Sequence, residues 1–331
     1  LGFALILRHS ILTQFISSVR EEQHQRYQAR LRQDIPDFIQ DYMSDSAIIE
    51  IMANPDGSVW VDDLRSGQRS VGTIEAFQAE SILNVIASLN GTAITHENPI
   101  LECELPYDGS RFAGMIPPVV ERPIFSIRRK AIQIFSLNDY VAAGILSETQ
   151  KTVIDTWIKA RKNILIVGGT SSGKTTLINA VIQAITEHSP EHRLILLEDT
   201  VELQSAASNI VAMRSSRDVS LQALVKATLR HRPDRIIVGE VRGKEAFDLL
   251  TAWSTGHPGG VASLHANSAE GAFLRLEQLL ELATQSPMKT LIGEAVDAIV
   301  YIEKSGCGRK VKQLLTVHGY RNEQYQFQTV E

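Results

Sequence analysis

The chain has 331 residues, of which 44% are hydrophobic and 6% aromatic, so at about 100–200 residues per domain it holds two domains with material for sizeable cores. Thirty-three basic against 38 acidic side chains leave a net charge of −5, which excludes the chain-wide positive field of a protein that coats nucleic acid. Cys103 and Cys307 have no CxxC neighbour, which excludes a zinc ribbon or a disulfide framework and points to two ordinary thiols in a reducing, cytoplasmic compartment.

The longest charge-free apolar run near the start covers residues 1–7, far short of the roughly 18 residues of a spanning helix; no signal peptide is expected. Phe3, Leu7, Ile11, Leu12, Phe15, Ile16 and Val19 follow helical spacing. That predicts a packed helix, with membrane-surface contact as the sharper alternative. Residues 20–45 are polar, so residues 1–45 read as an N-terminal extension, helical or partly disordered.

From Ile48 the period shortens to that of strands, and Asn54-Pro55-Asp56-Gly57 supplies the turn of a β-hairpin. Residues 73–90 place Phe77, Ile82, Val85, Ile86 and Leu89 on one helical face, which Asn90-Gly91 terminates. Strands resume over residues 100–106, 111–118 and 125–129, so residues 46–135 form an α+β domain. Residues 136–162 read as a linker and a connecting helix over Glu148–Lys159, with Val153, Ile154, Trp157 and Ile158 on its apolar side. Beyond it the short buried runs ILIV, LILL and IIVG alternate with helical segments, the α/β pattern of a mostly parallel sheet over residues 163–331. The last two runs, around Arg321-Asn322-Glu323, predict an edge hairpin.

The strongest local signal follows Asn163-ILIV. Gly168, Gly169, Thr170, Ser171, Ser172, Gly173, Lys174, Thr175 and Thr176 satisfy G-x-x-x-x-G-K-[ST] between an apolar strand and a helix. A strand feeding such a turn lets backbone N–H groups wrap a phosphate, and the following helix aims its positive end at the same anion. Lys174 is then expected to reach the β- and γ-phosphates of ATP, and the Thr175 hydroxyl to hold Mg²⁺.

Hydrolysis also needs acids at neighbouring strand ends. Glu198 and Asp199 cap LILL, and Glu240 follows IIVG; the carboxyl ends of strands face the ligand crevice in open α/β sheets. Glu240 is expected to serve as general base or water-positioner, against the plainer reading of a salt-bridged structural acid, and Glu198 to act on Mg²⁺ or water. His257 and His265 lack a third metal ligand of suitable spacing. His265 reads as a sensor of the γ-phosphate at a strand end, His257 as a histidine bonded within a turn. Arg214, Arg217, Lys226, Arg230, Arg232, Arg235, Arg242 and Lys244 crowd one stretch; most such runs are solvated faces, although some of these cations are candidates for an arginine-finger role across a subunit boundary.

In this order the stretches GGTSSGKTT, LLEDTVEL, LRHRPDRIIVGEVRG and TGHPGGVASLHANS resemble the secretion-motor ATPases of type II and type IV secretion and of type IV pili, and within that superfamily the TrbB-type conjugal transfer ATPases. The resemblance covers residues 46–310. It implies a RecA-like P-loop NTPase domain behind a smaller α+β N-terminal domain, a homo-hexameric ring, and ATP held between the two domains. It also implies that residues 168–176 are the Walker A loop, that Glu198 lies in the acidic box, that Glu240 is the Walker B glutamate and that His257 and His265 form the histidine box. Arg111 and Arg128, with Arg129 as substitute, are the implied phosphate contacts of the first domain.

The expectation is therefore an ATP hydrolase that energises a conjugative type IV secretion system. Its expected partners are further copies of itself and inner-membrane components, at the cytoplasmic face of the inner membrane with peripheral membrane contact. A RecA-like nucleic-acid translocase or recombinase is the rival, disfavoured by the net charge and by the lack of an aromatic and basic single-strand platform. A GTP switch or small-molecule kinase would need the absent N-K-x-D motif and would leave the acidic and histidine motifs without a task.

Overall fold

The computed structural model describes residues 33–330 apart from 64–65, 106–107, 130–133, 217 and 306–307, together with residues 25, 26, 29 and 31. The expected helix over the first twenty residues, Cys307 and Arg217 lie outside the described residues. The chain divides into two compact units, Leu1–Ile132 and Gln133–Glu331.

The first unit is an antiparallel sheet covered by helices. Strands β1 (Ile48–Ala53), β2 (Ser58–Asp63), β3 (Gly67–Thr73), β4 (Ile100–Glu104), β5 (Arg111–Met115) and β6 (Ile124–Arg128) are ordered β3-β2-β1-β6-β5-β4. The expected turn closes β1 on β2: Gly57 takes φ +84°, and Asp56 Oδ1 accepts the Ser58 N–H at 2.8 Å. A side chain there would lie 2.9 Å from the Ile74 carbonyl, so both the turn and its neighbour require glycine. Helix α1 (Asp37–Ser44) lies within the stretch read as an extension, yet Leu31, Ile35 and Ile39, spaced four apart, are buried in the same core as Ile51, Val61, Phe112 and Ile127.

Helix α2 (Ala76–Leu89) opens with a capping box between Glu75 and Gln78. Ile82, Val85 and Ile86 are buried as expected, but Phe77 is 71% exposed. At 100° per residue it lies roughly 140° around the helix from Ile82, so it never belonged to the buried face.

In the second unit strands β7 (Ile164–Gly168), β8 (Leu194–Glu198), β9 (Ile210–Arg214), β10 (Arg235–Val238), β11 (Val261–His265), β12 (Ala298–Ser305), β13 (Gly308–Arg321) and β14 (Gln324–Val330) are ordered β14-β13-β12-β7-β11-β10-β8-β9. The six from β12 to β9 run parallel, and β13 and β14 add antiparallel edges. The β13–β14 turn places Asn322 and Glu323 at φ 49° and 61°, the pairing of positive values that a tight hairpin needs.

Helices cover both faces, which is why the central strands are apolar throughout. Ile164 and Ile166 pack with α3 (Leu137–Ala142), α4 (Glu148–Lys159) and α5 (Lys174–His188), so the connecting residues share this core through Tyr140, Ile154 and Trp157. Leu165 and Val167 face α6 (Leu221–Thr228), α7 (Glu245–Ser254), α8 (Gly271–Glu281) and α9 (Lys289–Ala295). At the start of β7, buried Asn163 accepts the Gly259 and Gly260 N–H groups at 2.8 and 3.0 Å and donates to the Ala295 carbonyl at 2.8 Å. One side chain thereby fixes the entrances of β7 and β11.

Candidate active site

The carboxyl ends of β7, β8, β10 and β11 carry the expected residues. Gly168 ends β7, a side chain there would meet the Ile302 carbonyl at 2.2 Å, and the chain turns through Gly169, Thr170, Ser171 and Ser172. Ser171 takes φ 56° and Gly173 φ 96°, left-handed values that curl the backbone before α5 starts at Lys174. Thr175 and Thr176 follow in the first turn of that helix. Gly169 has open space where a side chain would begin, and the buried Ser172 Oγ makes no hydrogen bond. The loop is thus a concave turn of backbone N–H groups and one unsatisfied hydroxyl, the chemistry that takes a phosphate.

Lys174 is only 7% exposed. Its ammonium donates to the Gly168 carbonyl at 3.1 Å and the Gly169 carbonyl at 2.9 Å, and lies 3.4 and 3.5 Å from the two ring nitrogens of His265. Parallel pairing sets His265 directly opposite Gly168, so strand register alone delivers the histidine to the loop. Burial lowers the His265 pKa, and the Lys174 charge lowers it further against the pull of Glu240; the ring is neutral at pH 7.

Glu240 stands two residues beyond β10. Its Oε1 lies 2.9 Å from His265 Nε2 without an aligned hydrogen bond, and its Oε2 accepts from Arg242 Nη2 at 2.5 Å. Burial would raise its pKa, but the Arg242 hydrogen bond and the charges of Arg242, His265 and Lys174 outweigh that, and the net direction is down. A carboxylate held this firmly in its charged form is a weak base and a good orienter of water. Arg242 is itself braced: the buried Glu245 Oε1 accepts the Arg242 and Gly243 N–H groups at 2.6 and 2.7 Å.

Glu198 ends β8, and its Oε1 accepts the Glu202 and Leu203 N–H groups at 2.8 and 2.7 Å. That oxygen clamps the loop that follows β8. Exposed Asp199 accepts a hydrogen bond from the Ser215 hydroxyl at 2.6 Å.

Other expectations are redrawn. His257 precedes β11 and donates its N–H to the Ala252 carbonyl at 3.2 Å, while His265 ends that strand. About 13 Å of β11 therefore stands between the two histidines. Arg235 is 1% exposed and donates to the Ile158 and Gly259 carbonyls and to His192. Burial and the Arg161 charge push its pKa down to about 10, and it is structural, with no reach to another subunit. Burial pushes the Cys103 thiol up to about 12, which fits an ordinary thiol.

Within the first unit Arg111 and Arg128 face each other across β5 and β6, with Glu104 opposite Arg111 on β4 and Glu50 opposite Arg128 on β1. Like charges directly opposed are unfavourable, and the flanking acids offset that. Arg129 instead donates to the Asp45 carbonyl. Sequence reasoning missed Arg242 as the partner of Glu240 and Glu245 as its brace; the spacing E-x-R-x-x-E was the available signal.

A family profile described as "Type II/IV secretion system protein" matches residues 45–322. The chain belongs to the type II/IV secretion system protein family. Among curated relatives, the probable conjugal transfer protein TrbB of Sinorhizobium fredii is 45% identical over 306 residues, covering 92% of this chain and 94% of the relative. The type IV secretion system protein PtlH of Bordetella pertussis is 30% identical over 310 residues, covering 82% and 90%. Two solved structures share the fold: the ATPase DotB of Yersinia pseudotuberculosis, with a TM-score of 0.63 at 17% identity over 85% of this chain and 78% of that one, and the pilus retraction motor PilT bound to ADP, with 0.57 at 19% over 88% and 81%. The family's two-domain, RecA-like α/β architecture is the one described above.

Proposed function

We propose that this chain hydrolyses ATP to ADP and phosphate and uses the cycle to drive a conjugative type IV secretion system. The observation that carries the reading is the meeting of Lys174, His265 and Glu240 beside the loop 168–173. The 45% identity to a conjugal transfer protein supports the choice of apparatus.

In this mechanism the loop amides take the β- and γ-phosphates, and Lys174 exchanges the Gly168 and Gly169 carbonyls for phosphate oxygens. Neutral His265 hydrogen-bonds the terminal phosphate without adding charge. Glu240 holds the attacking water in line, and its proton leaves with the phosphate product. Mg²⁺ would supply charge neutralisation to the phosphates; the Thr175 hydroxyl at the start of α5 and the Glu198 carboxylate at the end of β8 would hold it. Arg111 and Arg128 are the proposed contacts of the first unit with the phosphates.

The chain works as a ring of identical copies, a hexamer, peripherally attached at the cytoplasmic face of the inner membrane and bound to inner-membrane components of the apparatus, with no direct nucleic-acid contact required. No helix among the described residues is long and apolar enough to cross a membrane. The test is phosphate release by the purified protein with Mg²⁺ and ATP, alongside Lys174→Ala. Release no faster than in that variant overturns the reading.

A further inference from the structure

The β13 side of the second unit carries a cation that nothing so far employs. Arg309 is the second residue of β13, opposite Lys304 on β12. Its side chain lies along the phosphate loop: a methyl group on Gly173 would stand 2.7 Å from Arg309 Cδ and 3.0 Å from Nε. Nε is buried and makes no hydrogen bond. A guanidinium N–H withdrawn from water with no acceptor is costly, and such a donor beside a binding loop awaits one.

Strand order says which acceptor. β7 lies between β11 and β12. The groups that meet a terminal phosphate, His265 and Glu240, come from β11 and from the end of β10, on one side of the loop. Arg309 comes from the other side, beyond β12. A triphosphate lying along the loop with its γ-phosphate at His265 therefore runs its nucleoside towards the β12–β13 hairpin. The phosphates already have the loop amides and Lys174, and the end with no assigned partner is the sugar and base. Arginine suits that task, because its flat face stacks on an aromatic ring while its edge donates hydrogen bonds to ring nitrogens or ribose oxygens.

We infer that Arg309 is a nucleoside-binding residue of this motor unit, with its guanidinium against the ribose and base of the bound nucleotide and its buried Nε–H donated to them. The inference rests on the ATP reading above.

The test is calorimetric binding of ADP, ATPγS and inorganic tripolyphosphate to the full chain and to Arg309→Met, which keeps the stem packed on Gly173 and removes the charged head. The nucleotides are expected to bind roughly tenfold more weakly to the variant, with KM for ATP raised and kcat unchanged, while tripolyphosphate binds both proteins equally. Arg309→Lys, which keeps the charge and loses the flat face, is expected to recover less than half of the lost affinity. Equal weakening of tripolyphosphate places Arg309 on the phosphates and overturns the inference, as does unchanged nucleotide affinity. A parent protein that binds tripolyphosphate but no nucleotide overturns the ATP reading, and this inference with it.

Discussion

Lys174 Nζ lies 3.4 Å from His265 Nδ1, and the lysine charge together with burial keeps that histidine neutral at pH 7. Protonating the ring on acidification sets two cations against each other at the mouth of the phosphate loop. Because the folded-state pKa of His265 is below its ordinary 6.5, the stability tied to its neutral form is present above that value and is lost as pH falls towards the folded-state pKa. His265→Gln is expected to flatten the dependence of thermal midpoint on pH just below 6.5, measured by circular dichroism. An identical slope in both proteins removes His265 from the titration.

Glu240→Gln keeps the shape of the site and removes the carboxylate proposed to orient water. Turnover is expected to fall by about 10²–10⁴-fold with ATP affinity retained, whereas Lys174→Ala is expected to lose affinity as well. Phosphate release and equilibrium binding, measured on both variants, separate the two roles. Glu198 becomes the water-positioning residue if Glu240→Gln turns over like the parent.

Arg242 holds Glu240 Oε2. Without that hydrogen bond and its charge, two of the effects that hold the Glu240 pKa down are lost, and it rises. Arg242→Ala is expected to move the acid limb of the kcat/KM pH profile to higher pH, the sign expected for a carboxylate that has lost its cation. An acid limb that stays in place or moves down contradicts the pairing.

Asn163 is buried and makes three hydrogen bonds to backbone at the entrances of β7 and β11. Asn163→Ala strands two N–H groups and a carbonyl, at a cost of about 3 kcal/mol. Urea titration of the parent and the variant measures it; a loss under about 1 kcal/mol would mean that water replaces the side chain.

Local chemistry was legible in the sequence and long-range pairing was not. The phosphate loop, the acids at strand ends and the hairpin turns at Gly57 and at Asn322-Glu323 announce themselves within a few residues, because each depends on backbone angles or on one strand's end. Strand β3, with no fully buried position, and strand β9, only half-buried, carry no clear period to read. Phe77 was placed on the wrong face because its spacing from Ile82 matches neither three nor four residues. That His257 and His265 sit at opposite ends of one strand, and that Arg242 turns back onto Glu240, become visible only once β11 and the loop after β10 have a direction.

The register that sets His265 opposite Gly168 also limits what nucleotide chemistry can move. β11 is zipped on both flanks, to β7 and to β10, so sliding it would break two ladders at once. In the proposed cycle, loss of the terminal phosphate is therefore taken up by side chains at the crevice rim and by residues 242–245 ahead of the paired strands beneath. Any stroke in that cycle starts at the rim and works against strands zipped on both sides.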